Sequence, residues 1–178
     1  MKNRRVILLC LISIVLVVGI CLVYTLVITA NKTVSPNNEY MVSYNRLTKT
    51  ITLKSLAESG VIWRLKGHDP AFLWSPDSKR LAVTNTASVV GHRGEIYDIE
   101  HSNSMVFSGK TAMQILLGQT PTTDTDDNRI GTEITKWINN DNVEVNFFLP
   151  LDSMGQTAAG QYIFEISSAR IKEISLAD

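Results

Sequence analysis

Residues 6–30, VILLCLISIVLVVGICLVYTLVITA, form one uncharged apolar run directly behind the basic cluster Lys2, Arg4 and Arg5. About 20 apolar residues rising 1.5 Å each cross a ~30 Å hydrocarbon core, so the run is long enough to span with tilt to spare. A helix is the form in which such a segment satisfies its own backbone in lipid. Three basic residues precede the run and only Lys32 follows closely. The positive-inside rule therefore predicts a cytoplasmic tail over 1–5, a transmembrane helix over 6–30, and an extracytoplasmic chain from residue 31 to 178. The protein is expected at the cell membrane, as a single-pass integral protein. A cleaved signal peptide is the rival reading, with Ile28-Thr29-Ala30 as its cleavage site, but its apolar core would be roughly 7–15 residues. A lipoprotein would place a small residue before its cysteine, whereas Leu9 precedes Cys10 and Ile20 precedes Cys21.

Both cysteines lie inside the apolar run, so the part beyond it has no disulfide available. Within the span they read as small polarizable fillers. All 17 acidic residues follow residue 30 and three of the 17 basic ones precede it, leaving 14 basic against 17 acidic outside. That balance excludes the basic footprint of a nucleic-acid-binding domain.

Residues 31–38 (NKTVSPNN) are polar and turn-prone and read as a linker. Beyond it, over 39–178, short strand-like stretches alternate with turn residues. The candidate strands are Met41–Tyr44, Thr50–Leu56, Val61–Leu65, Ala71–Trp74, Arg80–Asn85, Glu95–Glu100, Met105–Phe107, Val143–Leu149, Gln161–Ile166 and Ile171–Ile174. Leu81 and Val83, and again Val143, Val145 and Phe147, fall on one face with polar or small residues between them. Pro76 presets a turn at Ser75–Ser78, and Asn139–Asn142 tolerates left-handed geometry. An all-β domain of antiparallel sheets is the expectation. Ser108 to Thr135 breaks the pattern: it offers one possible helical turn, Thr111–Leu117, and a polar stretch, Gly118–Asn128. An interval of that length reads as an insertion, at about 108–134.

The segment Phe72-Leu73-Trp74-Ser75-Pro76-Asp77-Ser78-Lys79-Arg80-Leu81-Ala82-Val83 resembles the repeat of TolB-type β-propellers, the WD-like repeat of bacterial envelope proteins. That repeat runs aromatic, x, Trp-Ser-Pro-Asp-Gly, a basic residue, x, then an apolar strand; here Ser78 stands where Gly is usual. The resemblance implies that Trp74 ends an inner strand, Ser75–Ser78 turn the chain, and Leu81–Val83 return beside it. Spacing supports a repeat independently, since Leu53 aligns with Ile96 and Ile62 with Val106, and a four-stranded blade takes ~40–45 residues. A third copy begins at Trp137 and continues through QYIFEISSARIKEI. These pieces amount to about two and a half blades, whereas closed propellers have roughly four to eight. A sandwich of blade-like sheets, an open arc pairing with another copy, and a partial propeller needing another subunit are the architectures left open.

Candidate sites are few. His68, His92 and His101 sit in turn-like contexts without HxxxH or HxH partners, so no metal site is expected from them. Asp124-Thr125-Asp126-Asp127-Asn128 begins like a calcium loop, yet position 6 is Arg129 and position 12 is Thr135, where Gly and a bidentate Glu belong. Gly109-Lys110-Thr111 echoes a phosphate loop without its first glycine. There is no Gly-x-Ser-x-Gly and no cysteine outside the span. Trp63, Trp74 and Trp137 read as core aromatics of the strands. No catalytic residue, metal or cofactor is expected. The sequence points to a non-enzymatic, membrane-anchored interaction module whose partner is an envelope protein or peptide, with a homo-oligomer as a further option and no nucleic acid. An envelope hydrolase or its accessory subunit, built from distant carboxylates, is the alternative function; a degenerate propeller fragment with a structural role is another.

Overall fold

The computed structural model describes residues 13–19, 31–87, 91–101, 103–107, 131–150 and 157–176. Twelve strands follow one another: β1 (Lys32–Val34), β2 (Tyr40–Asn45), β3 (Thr50–Ser55), β4 (Val61–Lys66), β5 (Ala71–Trp74), β6 (Arg80–Ala87), β7 (Gly91–Asp98), β8 (Asn103–Val106), β9 (Gly131–Trp137), β10 (Asn142–Pro150), β11 (Thr157–Glu165) and β12 (Arg170–Leu176). They make three four-stranded sheets in strict chain order, β1–β4, β5–β8 and β9–β12. Every pairing is antiparallel.

Alternation along the strands stacks the sheets. Val42, Tyr44, Ile51 and Leu53 of sheet 1 pack against Leu81 and Val83 of sheet 2. The intervening Ala82 turns the other way and joins Ile96, Phe107, Ile134, Val143, Val145 and Phe147 in the core between sheets 2 and 3. A strand with apolar residues on both faces belongs to a central layer, and β6 is that strand. Val42, Ile51, Leu53, Leu81 and Val83 are fully buried, each contributing on the order of 1.5–3 kcal/mol through its removal from water.

The turn at Ser75–Ser78 behaves as the repeat resemblance implies. Ser75 and Arg80 exchange backbone hydrogen bonds with help from the serine hydroxyl: Ser75 N–H donates to Arg80 O at 3.0 Å, and Arg80 N–H donates to Ser75 Oγ at 2.9 Å. Asp77 accepts from Ser75 Oγ at 2.7 Å and from the Lys79 amide at 3.1 Å. Ser35-Pro36-Asn37-Asn38 repeats this turn in sheet 1. There Ser35 N–H donates to Tyr40 O at 3.0 Å, Tyr40 N–H to Ser35 Oγ at 3.0 Å, and Asn37 Oδ1 accepts from Ser35 Oγ at 2.7 Å and Glu39 N at 3.1 Å. The fourth residue of each turn is left-handed, with φ 61° at Asn38 and 63° at Ser78, the conformation for which the repeat ordinarily uses glycine.

Three sequence expectations change. Lys32–Val34 inside the presumed linker 31–38 are β1, paired with Met41–Ser43, so sheet 1 is complete and the count is three sheets rather than two and a half. The interval read as an insertion over 108–134 ends early, because β9 begins at Gly131 and aligns with β10. The strand placed at Glu95–Glu100 begins four residues earlier and ends two earlier, at Gly91–Asp98, opposite β6. Of the run 6–30, residues 13–19 are helical and the rest lies outside the described residues. Among the described residues no helix is long and apolar enough to cross a membrane.

Candidate interaction surfaces

The junctions between sheets are polar at one rim and apolar within. At that rim, Asn37 N–H donates to Ser78 Oγ at 3.0 Å and ties sheet 1 to sheet 2. Ser78, at 1 % exposure, thus uses the hydroxyl that a glycine would lack. The next junction repeats the device: Asp77 N–H donates to Asn140 Oδ1 at 3.1 Å, and Arg80 Nη1 donates to Asn140 O at 2.7 Å. Arg80 also lies 4.0 Å from Asp98 and 3.9 Å from Asp141. Burial pushes the Asp98 carboxyl up, but the amide and ring of His101 and the Arg80 guanidinium outweigh it, and the group is held below its ordinary range. Deeper in, buried Thr132 accepts from Gly94 N at 3.1 Å and donates to Phe107 O at 3.3 Å.

The two outermost sheet faces have no protein against them among the described residues. Their composition departs from the inner faces at matching positions. Where Leu81 and Val83, and Val143 and Val145, face the preceding sheet, sheet 1 has Met41 and Ser43. Where Val42 and Ala82 face the following sheet, sheet 3 has Glu144. The strands of sheet 1 carry Lys32, Lys54, Arg64 and Lys66 and no acidic residue. The outer face of sheet 3 holds Glu144 bound to Lys136 at 2.6 Å and to Thr135 Oγ1 at 2.9 Å. Burial raises the Glu144 pKa, but the lysine and the threonine hydroxyl prevail and lower it. Apolar side chains dot these edges: Val61 is 43 % and Ile62 36 % exposed on β4. Open depressions of about 430 Å³ lie over Asn146, Phe148 and Gln161 and of about 510 Å³ beside Lys49, Lys66, His68, Arg93 and Glu95.

The residues singled out from sequence fall apart spatially. His68 stands 3.7 Å from Asp69, His101 3.0 Å from Asp98, and His92 pairs with Thr86 across the β6–β7 ladder. Among the described residues, no three His, Cys, Asp or Glu side chains converge on one point. The Asp124–Asn128 loop, the Gly109-Lys110-Thr111 segment, the Thr111–Leu117 turn, Cys10 and Cys21 lie outside the described residues. The tryptophans are half-buried against the two cores as expected: Trp63 packs on Tyr97 at 5.0 Å between ring centroids and Trp74 stacks on Tyr40 at 6.4 Å. Tyr97 donates its hydroxyl to Glu95, and burial followed by that contact pushes its pKa far up. Sequence reasoning missed the rim brackets, although Ser-Pro at 35–36 and again at 75–76 is a visible signal for them.

No protein-family model matches the sequence, and no curated protein matches it. Solved structures do. An uncharacterised protein of Listeria monocytogenes superposes at TM-score 0.50 with 14 % identity, over 83 % of this chain and 40 % of that one. The β-propeller domain of the Trilobed protease from Pyrococcus furiosus, described as having an open velcro topology, superposes at TM-score 0.50 with 12 % identity, over 83 % and 42 %. TolB from Acinetobacter baumannii superposes at TM-score 0.45 with 15 % identity, over 80 % and 32 %. The chain spans less than half the length of these structures, and its superposition on the Pyrococcus furiosus propeller domain gives its three antiparallel sheets the fold of consecutive β-propeller blades.

Proposed function

We propose that the chain is a non-catalytic interaction module, held at the membrane by residues 6–30, whose blades bind an envelope protein or peptide outside the cytoplasm. The observation that carries it is the pair of uncovered blade faces. They are polar where the inner junctions are apolar, which suits a wet, reversible contact rather than a permanently packed one. The β4 edge, with Val61 and Ile62 beside Arg64, adds unpaired backbone groups for an incoming strand. The β-propeller fold is used widely for protein recognition, which agrees with this reading.

The test is photo-crosslinking in cells from a crosslinking amino acid at Ile62 on the first blade or Ile163 on the third. An adduct of one defined mass that disappears with Arg64→Glu supports the module. An adduct of twice the chain's own mass identifies the partner as a second copy. Absence of an adduct from both positions overturns the reading.

A further inference from the structure

Charge is divided along the strand direction, not only between faces. The strands of the three blades share two rims. One holds the start of β1, the 46–49 and 67–70 turns and the nearby part of β7; contacts such as Gly67 N–H to Lys49 O, at 3.0 Å, and Asn31 Nδ2 to Pro70 O, at 3.4 Å, draw it together. This rim carries Lys32, Arg46, Lys49, Lys66 and Arg93. Among the described residues its acidic ones are Asp69, 3.4 Å from Arg46, Glu95, 2.9 Å from Arg93, and Glu133 on β9, level with Gly94. The opposite rim, where the Ser-Pro turns lie, carries Glu39, Glu58, Asp77, Asp98, Glu100 and Asp141 against Lys79, Arg80 and Arg170 among the described residues.

The basic rim is also where the apolar run joins. β1 opens at Lys32, two residues after Ala30. Two residues reach at most about 7 Å, which is within a Debye length of roughly 8 Å at physiological salt. A helix spanning over 6–30 therefore brings this rim, and not the acidic one, to the bilayer surface. Between Arg46 and Lys49 the turn presents Leu47, 62 % exposed, an apolar tip flanked by cations. Beside it lies the open hollow of about 510 Å³ edged by Lys49, Lys66, His68, Arg93 and Glu95. Lys66 donates to Thr48 O at 3.0 Å, so the turn is braced against β4.

We propose that this basic rim rests on the headgroups of a bilayer containing anionic phospholipid, so that the blades are oriented as well as tethered, with their acidic rim turned away from the membrane. The inference deepens the anchored-module reading and depends on it. Cation-rich surfaces next to a membrane anchor are drawn to anionic headgroups within a Debye length, and an acidic rim on the far side is repelled from them.

The experiment uses the full chain in phospholipid nanodiscs and reads lysine acylation by mass spectrometry. Co-elution with phosphatidylcholine discs at about 1 M salt tests the anchor alone, because screening removes the headgroup attraction. In discs with about 30 % phosphatidylglycerol, Lys49 and Lys66 are expected to react roughly fivefold more slowly than in phosphatidylcholine discs, while Lys79 is unchanged. High salt should abolish the difference. Arg46→Glu with Lys49→Glu, both in an exposed turn, should abolish protection of Lys66 without altering the thermal melt. Equal acylation in both discs, with the chain still co-eluting, overturns the docking and leaves the anchor standing. Failure to co-elute overturns the anchor itself. Equal protection by inorganic phosphate over phosphatidylcholine discs would assign the hollow to a soluble anion and overturn the bilayer as its occupant.

Discussion

Trp137 donates its indole N–H to the backbone carbonyl of Leu73, 3.1 Å away, and so fastens the third blade to the second. Its counterpart Trp74, at the same position of the preceding repeat, stacks on Tyr40 but keeps its own Nε1–H buried without a partner among the described residues. Two tryptophans of one repeat position thus differ in one hydrogen bond. Replacing each with phenylalanine keeps the aromatic body and removes the N–H. Trp137→Phe should cost about 1–3 kcal/mol, because the Leu73 carbonyl loses its donor, whereas Trp74→Phe should be less damaging by at least ~1 kcal/mol. Chemical denaturation of the two variants side by side reads the difference, and equal losses would contradict the assigned bond.

Ser78 trades backbone comfort for a bracket between blades. Ser78→Ala keeps the left-handed backbone and loses the bond to the Asn37 amide, with an expected loss of about 1–2 kcal/mol. Ser78→Gly loses the same bond but relieves a conformation that costs an L-residue ~1 kcal/mol, so its net change should be smaller than that of alanine. The ordering of the two melting temperatures is the check.

Thr132 is buried at 1 % exposure and serves both Gly94 and Phe107. Thr132→Val preserves shape but strands the Gly94 amide and the second link to Phe107. A loss of about 1–3 kcal/mol is expected, accompanied by faster hydrogen exchange at the Gly94 amide.

Gly160 in β11 has no room for a side chain. A Cβ there would lie 2.3 Å from Phe147 Cζ and 2.5 Å from the Ser175 carbonyl oxygen. Gly160→Ala should therefore displace the Phe147 ring and lower stability by about 1–3 kcal/mol, measured by the same denaturation.

Acid should loosen the second and third blades. The Asp98 and Glu144 carboxyls are both held below their ordinary values in the folded chain. A depressed folded pKa gives stability that is present above the unfolded pKa and is lost as pH falls through the folded one. The melting temperature should be flat near neutrality and decline once pH drops below the ordinary carboxylate range. Asp98→Asn with Glu144→Gln should flatten that decline.

Much of the strand pattern was legible because its signals are local. The alternation at Leu81/Val83 and Val143/Val145/Phe147 places both in cores, and Trp74-Ser75-Pro76-Asp77 announces a repeat. What escaped lacked a local signal. β1 is three residues, Lys32–Val34, in a polar stretch, and the turn after it has Val34 and Asn37 where the recognisable copy has Trp74 and Asp77. The two turns share geometry because serine and either Asn or Asp supply the same oxygen to the same amides. β9 was obscured because Gly131–Trp137 carries a single buried aliphatic residue, Ile134, among polar neighbours. The rim charges could not be seen in sequence at all, since Arg46, Lys66 and Arg93 share a rim only after the strands reverse.

Each blade is woven from one unbroken stretch of chain, with no strand lent from one blade to another. Cutting the backbone between Phe107 and Gly131 therefore severs no ladder of hydrogen bonds among the described residues. The two pieces would each retain whole sheets and meet through a ready-made seam, where Phe107 and Ala82 face Ile134 and Val145. Such a chain is suited to reassembly from fragments, and to gaining or losing a blade as a single genetic unit.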